Sequence, residues 1–182
     1  MLEMDQNVIS FLEQPFTVRY RDSNNRIRKY TPDFLYHIES LKSPKSFVIE
    51  IKYQEDLEKN AGVYTPKFDA TKVFCEENNY EFKILSEKEI RNDYLLNCKF
   101  LYSYKFNTVD SKDPSIEILL HNLKELGTTT PRKLIEFSTH NIDKQMELIY
   151  YVWYMISTHK IQCLWNIPIT MDSIIWKTND IL

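Results

Sequence analysis

Along the first half of the chain apolar residues mostly alternate with polar ones; along the second they recur at helical spacing. Residues 7–20 alternate on either side of Pro15, which predicts two short strands with a bend between them. Asp22-Ser23-Asn24-Asn25 is turn chemistry, so residues 16–20 and 27–38 are expected to form a hairpin. A further strand follows an exposed loop at 40–45. Its Phe47, Ile49 and Ile51 line one face, while Val48, Glu50 and Lys52 share the other. Residues 54–64 are charged and patternless, which predicts a loop. From 65 to 78 the positions Phe68, Ala70, Val73 and Phe74 predict an amphipathic helix, capped by Thr65, opened by Pro66 and turning Lys67 and Lys72 outward. Residues 82–85 read as a strand. Ser86 and Glu89 have the spacing of a capping box, and the apolar and aromatic positions between Tyr94 and Tyr104 read as a packed helix.

Short polar residues at 107–112 suggest a boundary, dividing the chain into domains 1–107 and 108–182. Beyond it, Asp113 caps a helix with Pro114 first and Gly127 closing it. Thr130-Pro131 opens a second helix through Phe137, and Asn141 or Asp143 opens a third reaching about His159. Met146, Ile149, Tyr150, Trp153 and Met155 are its expected buried residues. Residues 161–165 and 167–176 complete the pattern as a β-ribbon. Three helices and a two-stranded wing describe a winged-helix-like domain. The third helix carries acids as often as bases and is heavily apolar, which suits protein docking better than base reading.

Composition narrows the chemistry. The 182 residues include only two glycines, which excludes the glycine-rich phosphate loops of nucleotide-driven enzymes. Cys75, Cys98 and Cys163 are widely spaced and odd in number, so they are expected to be reduced and structural. The four histidines lack metal-ligand spacing, and His37 alone falls near the candidate site. No run is apolar enough for a membrane span and no signal pattern opens the chain, so an intracellular location is expected. The net charge of −3 implies that any handling of DNA is assisted by partners.

The candidate chemistry lies in Tyr30-Thr31-Pro32-Asp33-Phe34 and Val48-Ile49-Glu50-Ile51-Lys52. An ionised carboxylate among apolar neighbours is costly unless a cation answers it. If the two strands adjoin, Asp33 and Glu50 converge and can hold a hard divalent cation such as Mg2+ or Mn2+ through oxygen. Lys52, sharing the face of Glu50, would hold an attacking water or neutralise charge on the phosphate. Arg28, Lys29 and Gln54 are possible substrate contacts, and Gln14 is expected to hold backbone at the bend.

Proline-aspartate, a spacer and glutamate-X-lysine form a signature that resembles the PD-(D/E)XK nucleases. With Phe11-Leu12-Glu13-Gln14-Pro15-Phe16, Lys67-Phe68 and Tyr80-Glu81-Phe82, the order and spacing are similar to the TnsA-like transposon endonucleases over most of the chain. The resemblance implies a mixed α+β, restriction-endonuclease-like core with a central mixed sheet and a small winged-helix-like C-terminal domain. It implies a bacterial, cytoplasmic endonuclease subunit of a heteromeric transposase, cutting the 5′ strands at transposon ends. Asp33, Glu50 and the Ile51 carbonyl would be its metal ligands and Lys52 its catalytic lysine; its partners would be DNA, a TnsB-type transposase and a TnsC-type ATPase. A further catalytic glutamate of that family falls before Met1 in this register, so either translation starts upstream or this copy lacks it. Two other readings use the same residues: a stand-alone restriction or repair nuclease, and a noncatalytic adaptor.

Overall fold

The alternating segments pair as a sheet because β-branched and aromatic residues on them have a helix to pack against. The structure, a computed structural model, describes residues 1–40, 43–110 and 113–177. Leu41 and Lys42, in the expected 40–45 loop, and Ser111 and Lys112, in the expected boundary, lie outside the described residues. The chain divides into two compact units, Leu2–Arg91 and a second that begins at Asn92.

In the first unit β1 (Val8–Glu13), β4 (Phe34–Ile38), β5 (Lys45–Ile51) and β6 (Tyr80–Leu85) form a sheet in the order β1-β4-β5-β6. The first two pairings are antiparallel and β5–β6 is parallel, so the sheet is mixed. The parallel pair is joined by α1 (Gln54–Lys59) and α2 (Ala61–Glu77), as a crossover connection requires. On one face Leu35, Val48 and Cys75 make the core, with Phe16, Tyr80 and Phe82 packed around them.

Three expectations are corrected here. Residues 27–38 are two strands: β2 (Val18–Arg21) and β3 (Ile27–Tyr30) make a separate ribbon, and the chain leaves it at Thr31-Pro32-Asp33 to enter the sheet as β4. Pro32 has no N–H to continue a ladder. Residues 54–64 are helical, held by Lys59–Glu55 and Asn60–Asp56 pairs four residues apart and by Tyr64 on Asp56. Gln54 N–H donates to Glu87 Oε2 at 3.0 Å, so this helix start is capped from far along the chain. Consequently Thr65 and Pro66 lie inside α2 and open nothing; the Thr65 hydroxyl donates to the Ala61 carbonyl instead.

Ser86 and Glu89 form the expected capping box on the short α3 (Glu87–Ile90). The second unit holds α4 (Asp93–Phe106), α5 (Pro114–Leu126), α6 (Pro131–Ser138), α7 (Ile142–Ser157) and the pair β7 (Ile161–Cys163) and β8 (Ile175–Lys177). Asp113, Thr130 and Asn141 accept backbone hydrogen bonds at the starts of α5, α6 and α7, and Gly127 takes a left-handed φ of 68° after α5. Leu119, Leu123, Leu134, Val152, Met155 and Ile161 are fully buried.

The units part between Arg91 and Asn92, so α4 groups with the helices after it, earlier than the 107/108 division read from the sequence. The buried Asn97 gives a physical reason. Its amide donates to the Trp165 and Ile167 carbonyls and accepts from Ile169 N–H, tying α4 to the segment between β7 and β8. That capture also shortens the expected ribbon, since 164–174 is held by a side chain and not by a ladder. Phe100 packs edge-on against Trp153 and Tyr104 meets Tyr150, so these aromatics do pack. Met146 is 67% exposed, contrary to expectation, because α7 turns Leu148 inward instead.

Candidate active site

β4 and β5 run antiparallel with Leu35 opposite Val48 and Phe34 opposite Ile49. Asp33, immediately before β4, and Glu50, next after Ile49 on β5, are carried to the same end of this strand pair. Leu35 and Val48, two residues away on each strand, face Cys75 of α2. Glu50 therefore lies on the α2 face of the sheet, and the Asp33 charge acts on Tyr30 and Lys67 of the same cluster. Gln14, in a left-handed conformation at φ 47°, donates its N–H to the Asp33 carbonyl at 2.9 Å, and Asp33 N–H donates to the Ile49 carbonyl at 3.1 Å. Asp33 Oδ2 in turn accepts from Ile51 N–H at 2.7 Å, so the carboxylate is fixed against the strand that carries Glu50.

Glu50 is 1% exposed, the sole buried charged side chain among the described residues. Lys52 Nζ donates to its Oε1 at 2.8 Å and to the Ile51 carbonyl at 3.0 Å. A second ammonium, Lys67 Nζ, stands 3.9 Å from the same Oε1. Glu50 Oε2 is buried and meets no hydrogen-bond partner. Tyr30 Oη lies beside this carboxylate without closing a well-formed hydrogen bond. Burial first, and the Glu50 carboxylate second, push the Tyr30 phenol well above the usual tyrosine range.

Lys67 corrects the sequence reading, which turns it to solvent. The helix begins at Ala61, and in that phase Tyr64, Lys67, Phe68, Thr71 and Cys75 form its inward stripe. Lys72 does face out. The Lys67 side chain is 13% exposed, and its ammonium sits over Tyr64, Tyr30 and Phe68, with centroid distances of 4.4, 4.6 and 5.3 Å. Desolvated cation–π contacts of this kind contribute up to about 2 kcal/mol. Burial lowers the Lys67 pKa, and the Glu50 carboxylate opposes that shift.

The oxygens of Asp33, Glu50 and the Ile51 carbonyl make a donor set suited to a hard cation. Two observations fit a cation here: Glu50 Oε2 is an unanswered buried anion, and Glu50 Oε1 and the Ile51 carbonyl already converge on one positive charge, the Lys52 ammonium. Among the described residues no three His, Cys, Asp or Glu side chains gather as a metal cluster, so the set is two acids and a carbonyl. A groove of about 420 Å³ opens beside Lys52, lined also by Tyr53, Asp56, Glu87 and Arg91. Its acids are engaged: Asp56 by the Tyr64 hydroxyl, which foremost holds its pKa low, and Glu87 by Gln54 N–H, with the same effect.

The other sequence candidates lie apart from this cluster or are occupied. Arg28 donates to Asp22 at 2.9 Å within the ribbon turn, and Lys29 is exposed, facing away from Tyr30. Gln54 starts a helix and does not continue the strand; its amide donates to Glu58. His37 Nδ1 is bonded to Ser46 Oγ at 2.8 Å, as a strand histidine. Sequence reasoning misses Lys67, Tyr30 and Arg91. The spacing Tyr64-Lys67-Phe68-Thr71 holds the signal for the first, once the helix is started at Ala61.

No helix among the described residues is long and apolar enough to cross a membrane. A search of curated proteins finds no match. Residues 5–87 match the family model for the TnsA-like endonuclease N terminal, and residues 89–165 match that for the TnsA endonuclease C terminal. With the two models in chain order over most of its length, the chain belongs to the TnsA-like endonuclease family.

Proposed function

We propose that this chain is the divalent-metal-dependent DNA endonuclease subunit of a Tn7-like heteromeric transposase, hydrolysing the 5′ strands at transposon ends. The observation that carries the reading is Glu50: a buried carboxylate bridged to Lys52, with one oxygen unanswered, on the strand whose Ile51 N–H holds the Asp33 carboxylate. Asp33, Glu50 and the Ile51 carbonyl hold Mg2+ or Mn2+. When bound, such a cation supplies Lewis acidity toward a phosphate and favours ionisation of a water. Asp33 keeps one carboxylate oxygen on Ile51 N–H and presents the other to the site. Lys52, released from Glu50 and the Ile51 carbonyl, holds the attacking water and answers the charge that grows on the scissile phosphate.

The groove beside Lys52 seats the adjoining DNA backbone, with Arg91 as its second cation. Arg91 donates to the Tyr53 hydroxyl at 3.2 Å along the groove wall. The helix order α5–α6–α7, the bridge of Thr129 to Ile175 and the β7–β8 pair support a winged-helix-like module. Ile142 and Met146, exposed one turn apart at the start of α7, favour protein docking for it over base reading. Its partners are then a TnsB-type transposase and a TnsC-type ATPase, which supply the site specificity that a net charge of −3 does not.

The test is strand cleavage of a transposon-end DNA by the chain assembled with such partners and Mg2+. Asp33→Ala and Lys52→Ala are each expected to reduce 5′-strand cutting by on the order of a thousandfold or more, with folding intact by circular dichroism. Unchanged cutting by either variant refutes the assignment. Cutting by the purified chain without partners supports the stand-alone nuclease instead.

A further inference from the structure

Glu50 faces α2, so a cation that compensates it on that side must come from α2, and Lys67 is the residue α2 supplies. Its ammonium is not free to swing out: three rings surround it and solvent reaches little of it. Lys52 differs, being more exposed and held by the same carboxylate together with a backbone carbonyl. One of the two lysines can leave Glu50, and the other is caged beside it. Two carboxylates and two ammonium groups leave the cluster formally neutral. A divalent ion raises it by two charges, which the phosphates of DNA can answer. Lys67, which cannot leave, stays beside that ion as a like charge and opposes it.

We infer that Lys67 is a positioning residue that acts through Glu50 as a built-in cation, setting how tightly a divalent ion is held at this site. The inference rests on the metal-dependent reading above. It adds that Lys67 touches neither water nor phosphate and is required for the charge balance alone. Neutralising it leaves Lys52 at 2.8 Å to answer Glu50 and removes a charge that competes with the metal.

The experiment is a Mn2+ titration of the full chain without DNA at about pH 8, following the free ion by electron paramagnetic resonance. The wild type is expected to bind Mn2+. Lys67→Met, whose side chain fills the aromatic cage, is expected to bind Mn2+ more tightly by on the order of tenfold or more. Lys67→Arg keeps the charge and is expected to stay near wild type. Thermal unfolding establishes that each variant is folded.

A Lys67→Met affinity equal to or weaker than wild type, in a folded protein, overturns the inference. Asp33→Asn separates the metal site from the role of Lys67. If it abolishes Mn2+ binding while Lys67→Met changes nothing, the metal site stands and the role of Lys67 falls; if it binds like wild type, the metal assignment falls and takes Lys67 with it.

Discussion

On β5 the innermost face of the first unit carries Val48 and Glu50 side by side, both out of contact with solvent. The innermost faces of α5 and α7 in the second unit carry Leu119, Leu123, Val152 and Met155. The largest fully buried side chains of the second unit's helices are all apolar, whereas the first unit encloses a carboxylate and recruits two lysines and a tyrosine around it. A fold has no need of such a group: apolar residues of equal volume often do as well or better for stability. The second unit buries no charge among its described residues, and the first buries one at the place where chemistry is expected.

Glu50→Leu puts the contrast to its hardest test. It leaves Lys67 caged without its anion and is expected to lower stability by about 3–5 kcal/mol in urea unfolding. Adding Lys67→Met should restore most of that loss, because the remaining pocket is then apolar. A cost near zero for the single change would erase the distinction drawn between the units. Leu119→Ala is the counterpart in the second unit, expected to lower its stability by about 2–5 kcal/mol through cavity formation while leaving Mn2+ binding unaltered. Coupling of that change to Mn2+ affinity would show that the two cores are not energetically separate.

Much of this contrast is legible in the sequence. Asp33, Glu50 and Lys52 stand out because a period of two puts Glu50 and Lys52 on one face, and acids in apolar strands are anomalous. Asp113, Thr130 and Asn141 are readable because a cap acts on a backbone N–H two or three residues away. What escapes is set at long range. The 54–64 helix is capped by Glu87, and no local signal announces a cap from the far side of a strand. Leaving Tyr64 out of the second helix and counting Val73, which is exposed, in its stripe turns the apparent face, and Lys67 with it, toward solvent. Met146 is misassigned because helical period fixes a stripe's spacing without saying which of two stripes is covered.

Asn97 offers a finer test, since it is a buried polar group in the largely apolar core of the second unit. Asn97→Ala strands the Trp165 and Ile167 carbonyls and the Ile169 N–H and is expected to cost about 1–3 kcal/mol. Hydrogen exchange should rise in 164–174 and not in α5. Unchanged protection there would mean that the segment is held by packing. The smallest effect concerns the buried Cys75 and Cys163. Burial pushes the Cys75 thiol up to about 11 from 9.0, and Cys163 up to about 12. Folded thiols then stay protonated while unfolded ones ionise, so their contribution to stability is complete below about pH 9 and fades as pH rises through 11 to 12. At pH 8.5 both should resist alkylation that the unfolded chain accepts, as intact-mass measurement can read.

Tyr30, Asp33, Glu50, Lys52 and Lys67 all come from one unbroken stretch, and the sheet that sets them is finished at Leu85. During synthesis this entire cluster is made, and emerges, ahead of every helix of the second unit. A nascent chain can thus assemble its pocket early, and a gene fragment ending near Arg91 carries the whole constellation as a single heritable cassette.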